Sequence, residues 1–230
     1  MGALAGRLAL VTGASKGIGA AVAAGLADQG ATVIRVARSW PDSKNSGFLD
    51  VAADLASDDG VAGMIEKTLA AGVPDIVVSN AGGFALGDVG PDLVGQLDQL
   101  YRINLRAPMA VAAALLPRMR SRGSGRHLLI GSVSDHQAFP GNAAYAATKF
   151  GLRGFHEVLR AEYRGTGVLC SLVSPGPVDT PLWDPIDPDR RPGFPPRATM
   201  LRPGDVAAAV QWIALQPVRV DIGWLQMSPA

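Results

Sequence analysis

The sequence predicts an α/β fold: one domain in which a mainly parallel sheet of seven strands lies between two layers of helices, a three-layer α/β/α sandwich. Size and composition favour it, because 230 residues, 48% hydrophobic and 18% charged, can bury one large core. Short apolar runs also alternate with longer helical patterns, as in repeated βαβ units. Runs such as residues 8–11 and 76–78 are apolar throughout, which is typical of strands covered by helices on both faces.

In chain order, each predicted strand is a β-rich apolar run and each predicted helix is a longer segment between such runs. Strands are predicted at residues 7–11, 32–36, 48–51, 75–78, 127–130, 168–173 and 222–227, of which 48–51 is the weakest. Helices are predicted at residues 18–29, 59–71, 92–119, 143–164 and 203–216. No repeat or linker divides the chain, so residues 1–230 are predicted to form a single domain. Residues 177–203, rich in proline, are predicted to form a lid over the substrate.

Charge and cysteine content exclude several classes of partner. Lys and Arg together number 21 against 20 Asp and Glu, and a net charge of +1 attracts neither nucleic acid nor an anionic membrane. The single cysteine, Cys170, cannot form an internal disulfide and is expected to be an inert hydrophobe in a buried strand. No apolar run approaches the roughly 20 residues of a membrane-spanning helix, and no signal-peptide pattern is present. A cytoplasmic location is expected.

The histidines do not indicate a metal site. His127, His136 and His156 lack metal-ligand spacing, and no cysteine or acidic cluster accompanies them, so no metal is expected. His136 is expected to be an exposed loop residue, with a substrate contact as the alternative.

A glycine-rich turn follows the first predicted strand. Residues 12–19 read Thr-Gly-Ala-Ser-Lys-Gly-Ile-Gly and lead directly into a helix. Gly13, Gly17 and Gly19 allow a sharp bend and bring backbone N–H groups close to a pyrophosphate at the helix N-terminus. Such a turn is typical of a Rossmann-type dinucleotide site, although its spacing differs from G-x-G-x-x-G. A tight turn between strand and helix, without a ligand, is the alternative interpretation.

This T-G-x-x-x-G-x-G spacing resembles that of the short-chain dehydrogenases/reductases. Further motifs resemble the same family in order: Ser-Asn-Ala-Gly at 79–82, where the family commonly has Asn-Asn-Ala-Gly, then Asn104, Ser132, Tyr-x-x-x-Lys at 145–149 and Pro-Gly-x-x-x-Thr at 175–180. Ser132 precedes Tyr145 by thirteen positions, the usual family interval. The motifs span nearly the whole chain. The resemblance implies a Rossmann-type domain with nicotinamide-dependent oxidoreductase activity.

Charge at the end of the second strand favours NADP(H) as the cofactor. An acidic residue there would favour NAD by binding the ribose hydroxyls and repelling a 2′-phosphate, but this chain has Arg38. Arg38 and Lys16 are expected to bind the 2′-phosphate, with ordinary solvated charges as the alternative. The resemblance implies that the remaining cofactor-binding residues are Gly13, Ser15, Gly17, Ile18, Gly19, Asp54, Leu55, Asn80, Ala81, Gly82, Tyr145, Lys149, Pro175, Gly176, Val178 and Thr180.

Tyr145, Lys149, Ser132 and Asn104 are the candidate catalytic residues. Ketone reduction needs a hydride, which no side chain can supply, and a proton at oxygen. Tyr145 is the candidate acid, and the Lys149 ammonium, four residues on along one helix face, is expected to lower the pKa of its phenol. Ser132 is expected to hydrogen-bond the substrate carbonyl. The resemblance implies that Asn104 supports a water that links the lysine to solvent.

The predicted substrate pocket is apolar and suits a medium-sized carbonyl compound or alcohol. Its predicted walls are Phe84, Leu86, Phe139, Leu182 and Trp183. The lid arginines are expected to be solvated charges, with steering of an anionic substrate tail as the alternative; they are Arg190, Arg191 and Arg197.

Together these features predict an NADP(H)-dependent oxidoreductase that reduces a ketone or aldehyde, or oxidises the matching secondary alcohol. Two alternatives remain: an NAD-dependent alcohol dehydrogenase of the same chemistry, and a non-catalytic dinucleotide-binding scaffold or redox sensor. The resemblance also implies a homodimer or homotetramer built through the helices that carry Asn104 and Tyr145.

Overall fold

A computed structural model describes residues 2–40 and 47–230 of the chain. Within them, seven strands form one sheet in the order β3-β2-β1-β4-β5-β6-β7. The strands are β1 (Leu8–Thr12), β2 (Thr32–Ala37), β3 (Leu49–Ala52), β4 (Ile76–Ser79), β5 (Gly125–Ile130), β6 (Val168–Pro175) and β7 (Trp224–Met227). Every neighbouring pair is parallel. The predicted sheet is therefore confirmed, and in the described residues it is parallel throughout.

Helices cover both faces of this sheet, which confirms the three-layer prediction. They are α1 (Gly17–Asp28), α2 (Asp58–Ala71), α3 (Leu93–Tyr101), α4 (Ala107–Arg122), α5 (Ala143–Tyr163) and α6 (Pro203–Leu215). One apolar core lies between the sheet and α1 and α6, and a second lies between the sheet and α2, α4 and α5. Because successive strand side chains point to opposite faces, Ala9 and Val11 pack into the first core and Leu10 into the second. This explains the continuous apolar strands.

The single helix predicted over residues 92–119 is wrong. Helices α3 and α4 are separated by a π-helical turn, Arg102–Arg106, in which the Ala107 N–H bonds the carbonyl of Arg102. Pro108 accounts for the change of register, because it has no N–H to donate to the carbonyl of Asn104 four residues earlier. Asn104 therefore lies in the turn rather than within a regular α-helix.

The segment of residues 177–203 contains three short 3₁₀ turns, Pro181–Trp183, Pro188–Arg190 and Arg197–Thr199. Arg197 binds Asp179 at 2.9 Å and Asp184 at 2.6 Å, so it is a structural ion-pair residue and not the solvated charge expected. These contacts join the last turn to the beginning of the segment. Its role as a lid stays a prediction.

No helix in residues 2–40 and 47–230 is long and apolar enough to cross a membrane. The same residues hold no group of three or more His, Cys, Asp or Glu side chains arranged to bind a metal ion. Cys170 is buried in β6, as expected, and burial raises the pKa of its thiol to about 12.

Two histidines are buried in the core. His127 in β5 lies with its Nε2 atom 3.4 Å from the Ser79 hydroxyl, and His156 in α5 places its Nε2 2.8 Å from the carbonyl oxygen of Gly223. Burial, and then the nearby His156, lower the pKa of His127 to about 3. His127 is therefore neutral in the folded protein at neutral pH.

We expect the protein to lose stability in mild acid because of His127. Between its ordinary pKa of 6.5 and its folded value of about 3, the unfolded chain binds a proton that the folded chain does not. Stability therefore falls as the pH drops through this window, by about 2 kcal/mol between pH 7 and pH 5. Urea unfolding at the two pH values measures the loss, and His127→Gln should reduce it. An equal loss in both proteins would contradict the expectation.

Candidate active site

The predicted site residues follow the strands at one edge of the sheet. The turn after β1 holds Gly13, Ser15, Lys16, Gly17, Ile18 and Gly19; Arg38 follows β2, Asp54 and Leu55 follow β3, Asn80 to Gly82 follow β4, Ser132 follows β5, and Gly176, Val178 and Thr180 follow β6, which ends at Pro175. Because every strand pair is parallel, these carboxyl ends meet at the same edge, and the strand order reverses between β1 and β4. Ligands of open α/β sheets bind at such a position.

The β1 turn needs its glycines for backbone geometry and for space. Gly13 and Gly17 have φ angles of 68° and 58°, which favour glycine. A Cβ on Gly19 would overlap the carbonyl oxygen of Gly13, and one on Gly13 would lie 2.8 Å from the Ala81 Cα. A Cβ on Gly17 would lie 3.3 Å from Thr180. The turn is therefore a backbone cradle at the start of α1, which suits a pyrophosphate.

Thr12, which the sequence analysis did not include in the site, joins the turns after β1 and β4. Its hydroxyl accepts hydrogen bonds from the backbone N–H groups of Asn80 and Ala81, each at 3.0 Å. The Asn80 side chain in turn donates to the carbonyl oxygens of Thr12 at 2.9 Å and Gly13 at 3.3 Å. The sequence signal that could have identified Thr12 is its position as the first residue of the glycine motif.

The two cations proposed for cofactor selection follow neighbouring strands. Lys16 is the N-cap residue of α1 and Arg38 follows β2, and both side chains are exposed. Strands β1 and β2 are paired, with Thr12 opposite Val36. Beyond β3, Leu55 is buried, while the exposed Asp54 accepts a hydrogen bond from the Ala56 N–H at 3.0 Å.

Ser132, Tyr145 and Lys149 lie together. Ser132 is close enough to Tyr145 for its side chain to act on the pKa of the phenol. The Lys149 Nζ atom lies 5.7 Å from the Tyr145 ring centroid and donates to the carbonyl oxygen of Ile130 at 3.0 Å. Positions i and i+4 of α5 thus share a face, as the sequence predicts.

The expectation that the Lys149 ammonium lowers the pKa of Tyr145 below its ordinary value is wrong. Burial raises the pKa of Tyr145 to about 12; the Ser132 side chain opposes this shift and the charge of Asp135 adds to it. Burial also lowers the pKa of Lys149 to about 8, against the attraction of Asp135. The cost of removing each group from water is therefore the largest cause of both shifts.

Asn104 connects the turn after β4 to α5. Its Oδ1 accepts from the Gly83 N–H at 2.8 Å, and its Nδ2 donates to the Gly83 carbonyl oxygen and the Thr148 hydroxyl, each at 3.1 Å. Its side chain is buried, and these three contacts hold it in place. The side chain thereby ties the turn after β4 to α5, the helix that holds Tyr145 and Lys149.

Aromatic side chains form one wall beside Tyr145. The Phe84 ring centroid lies 4.8 Å from that of Tyr145 and 5.2 Å from that of Trp183, both in edge-to-face geometry. Phe194, which the sequence analysis missed, extends the wall at 6.1 Å from Trp183. Phe139 and Leu182, two predicted wall residues, are instead 40% and 45% exposed.

The expectation that His136 is an exposed loop residue is wrong. Its Nδ1 atom lies 2.7 Å from Oδ1 of Asp135, a fully buried carboxylate, and its side chain is 20% exposed. A buried carboxylate attracts any nearby donor, which explains why His136 turns inward. The sequence analysis missed Asp135, although an acid three positions after Ser132 is the pattern of a capping box.

Comparison with known proteins assigns the family. The family model described as "short chain dehydrogenase" matches residues 7–191. The chain belongs to the short-chain dehydrogenases.

Three relatives in this family illustrate the similarity. A short chain dehydrogenase of the fungus Pseudocercospora fijiensis is 36% identical over 81% of this chain, which spans only 64% of that relative. The cyclic-di-GMP-binding biofilm dispersal mediator protein of Escherichia coli is 32% identical, with 93% of this chain and 92% of that protein covered. A metagenomic short-chain oxidoreductase solved in complex with NADP is 29% identical, with a TM-score of 0.80 and 99% of each chain covered.

We expect Gly19→Ala to destabilise the protein by about 1–3 kcal/mol, because the added methyl group would overlap backbone that cannot move freely. Gly63→Ala is the matched control: it also lies in a helix, but nothing lies within 4 Å of its added Cβ. The control should gain about 0.5–1 kcal/mol. Urea unfolding measures both changes, and equal gains would contradict the tight contact at Gly19.

Proposed function

We propose that this protein is an NADP(H)-dependent oxidoreductase that reduces a ketone or aldehyde, or oxidises the matching secondary alcohol. The observation that carries the proposal is the grouping of Ser132, Tyr145 and Lys149, in which the ammonium lies 5.7 Å from the centroid of the phenol ring and Ser132 acts on the pKa of the phenol. This group lies at the same sheet edge as the glycine cradle. A proton donor, a hydroxyl for the substrate oxygen and a dinucleotide site are the parts that carbonyl reduction needs.

The residues present fit a bound dinucleotide. The cradle at Gly13, Gly17 and Gly19 leaves space that side chains would fill, and it ends at a helix N-terminus. Lys16 and Arg38 are the proposed partners of a 2′-phosphate, and the NADP held by the metagenomic relative supports this choice. The other residues proposed to hold the cofactor are Ser15, Ile18, Asp54, Leu55, Asn80, Ala81, Gly82, Tyr145, Lys149, Pro175, Gly176, Val178 and Thr180.

The reduced cofactor supplies the hydride, and this chain supplies the proton. Tyr145 donates its hydroxyl proton to the substrate oxygen, and its high pKa keeps the phenol protonated at neutral pH. The Lys149 ammonium then stabilises the phenolate that remains. Ser132, whose oxygen accepts from the Ser134 N–H at 3.1 Å, is held in position to donate to the substrate oxygen. In alcohol oxidation the deprotonated Tyr145 accepts the proton of the substrate hydroxyl.

The Tyr145 phenolate takes its proton back from the Lys149 ammonium, and Asn104 is proposed to support the path by which Lys149 then regains a proton from solvent. Its side chain fixes the turn after β4 to α5 through Gly83 and Thr148. Its backbone carbonyl cannot receive the usual helical N–H four residues on, because that residue is Pro108. A carbonyl without this donor suits a water-mediated relay.

The proposed substrate is a medium-sized apolar carbonyl compound or the corresponding alcohol. Phe84, Trp183 and Phe194 form a continuous aromatic wall that begins at the Tyr145 ring. Two of these residues lie in the segment 177–203, which is the proposed lid. Aromatic faces of this kind bury apolar substrate surface.

A homodimer or homotetramer is proposed through the helices α3 to α5. Large apolar side chains on these helices are exposed in the single chain: Val94 by 65%, Val158 by 52%, Phe150 by 46%, Tyr101 by 44% and Met109 by 40%. Apolar side chains grouped in this way favour a protein interface. Sedimentation equilibrium would measure the mass in solution, and a monomer at micromolar concentration would contradict the proposal.

Tyr145→Phe tests the chemistry. We expect kcat for ketone reduction to fall by about 10² or more, because the acid is lost, while the Kd for NADPH changes little. Tyr101→Phe, which removes the hydroxyl of a half-exposed tyrosine elsewhere, should leave both values unchanged. Stopped-flow absorbance and NADPH fluorescence give the two readouts.

Unchanged turnover in Tyr145→Phe would contradict the acid role. A wild-type protein that binds NADPH but turns over no ketone, aldehyde or alcohol would favour the non-catalytic scaffold. Because the Escherichia coli relative is named for binding cyclic-di-GMP, that dinucleotide belongs in the same titrations.

Arg38→Asp tests the cofactor preference. Loss of a charge-assisted hydrogen bond and gain of a repulsive carboxylate should raise KM for NADPH by about 10- to 100-fold, with little change for NADH. Lys67→Ala, which removes an exposed cation on α2, is the control and should change neither value. A wild-type preference for NADH would favour the NAD-dependent alternative.

A further inference from the structure

Asp135 is a buried carboxylate that lies three residues after Ser132, the proposed catalytic serine, and is hydrogen-bonded to its backbone. It ends the short turn Val133–Asp135 after β5 and is fully buried. Its Oδ2 accepts from the Ser132 backbone N–H at 3.2 Å and from the Ser174 hydroxyl at 2.5 Å. A buried carboxylate is costly unless it is well bonded, so its presence needs a reason.

Charged and titratable groups surround Asp135 from two elements. His136, in the same loop, lies 2.7 Å from Oδ1. From α5, Arg153 approaches Oδ1 at 3.6 Å. Lys149 donates to the carbonyl oxygen of Ile130 at 3.0 Å, directly before Gly131, where an added Cβ would meet Oδ2 of Asp135. Tyr145 lies one turn earlier on the same helix. From β6 and β7 the facing groups are neutral: the Ser174 hydroxyl, and the Trp224 indole N–H that donates to it at 2.9 Å.

Arg153 does not fully neutralise this carboxylate. The 3.6 Å separation is longer than a hydrogen bond, and the Arg153 Nη1 atom has no hydrogen-bond partner in the described residues. The guanidinium instead stacks on the Trp224 ring, 4.1 Å from its centroid. Part of the negative charge of Asp135 therefore acts on other cations nearby.

The surrounding backbone leaves space for the carboxylate. A Cβ on Gly131 would overlap Oδ2 of Asp135 and would lie 3.0 Å from Leu172. A side chain at position 131 would therefore force the Asp135 carboxylate to move from this place. The space left by Gly131 and the two hydrogen bonds to Oδ2 together hold the Asp135 carboxylate in a defined position.

We propose that Asp135 is a positioning residue that holds Ser132 through its backbone and keeps the Lys149 side chain in its charged form. This inference rests on the proposed function of Ser132, Tyr145 and Lys149. These two roles account for a buried carboxylate at this position, which packing alone does not explain.

The negative charge of Asp135 shifts the pKa values of Tyr145 and Lys149 in the same direction. The charge of Asp135 raises the pKa of Lys149, against burial, and also raises the pKa of Tyr145. With a pKa of about 8, Lys149 is mostly an ammonium at pH 7, and a moderate decrease would leave it half neutral. Removing the carboxylate charge should therefore lower both pKa values and reduce the charged fraction of Lys149.

A lysine titration tests the inference without turnover. The sequence has four lysines, so the full chain labelled with ¹³C at the lysine ε-carbon gives few signals, and Lys149→Arg assigns the one of interest. We expect Asp135→Asn to lower the titration midpoint of Lys149 by about one pH unit. Ser174→Ala, which removes a neutral donor and keeps the charge, should shift it much less.

Arg153→Gln should shift the Lys149 titration midpoint in the opposite direction. It also tests the inference if Asp135→Asn does not fold. Removing a cation that faces Asp135 should raise the Lys149 midpoint, and the rise should be smaller when Asp135→Asn is combined with it, because only the repulsion between Arg153 and Lys149 is then lost. An unchanged Lys149 midpoint in folded Asp135→Asn would overturn the inference, and an unchanged or lowered midpoint in Arg153→Gln would do the same.

The pH profile of alcohol oxidation separates this inference from the proposed function. In wild-type protein that turns over, Asp135→Asn should move the rising limb of kcat to lower pH, because removing the carboxylate charge lowers the pKa of Tyr145, the group that accepts the proton. A profile that only falls in height would overturn the inference. If the wild-type protein has no turnover, the proposed function fails, and the lysine titration still decides whether Asp135 sets the charge of Lys149.

Discussion

The site depends on the hydrogen-bonded junction between the turns after β1 and β4. One hydroxyl, that of Thr12, accepts two backbone N–H groups, and the Asn80 amide returns two hydrogen bonds to the carbonyl oxygens opposite. Four hydrogen bonds across so short a distance bring the two turns almost into backbone contact. That closeness is the reason for the glycines at 13 and 19, and it sets the floor of the cleft where the strand order reverses.

Helix α5, which holds the proposed catalytic residues Tyr145 and Lys149, is attached to this frame at several points. The Lys149 ammonium donates to the last residue of β5, and Asn104 joins the turn after β4 to Thr148 on α5. These contacts bury the ammonium and the phenol, and burial accounts for the direction of both pKa shifts. The contacts that hold Tyr145 and Lys149 in place therefore also exclude water from them and so shift their pKa values.

Local pattern was sufficient for the architecture and insufficient for the site's electrostatics. Continuous apolar strands predicted a parallel sheet, and spacing along α5 predicted that Tyr145 and Lys149 share a face. Pro108 could have signalled the break between α3 and α4, since a missing N–H is visible in sequence. The surroundings of Asp135 could not be read in that way, because its partners come from α5, β6 and β7 and meet only in the folded chain.

Positions 131 and 135 are not free to vary independently. Any side chain at Gly131 would occupy the space of the Asp135 carboxylate, so a larger residue there requires a smaller residue at 135 first. Among descendants of this protein, the order of the two substitutions would decide whether the intermediate folds. Lineages that keep the acid are thereby confined to glycine four positions earlier, a case of epistasis that follows from a single steric contact.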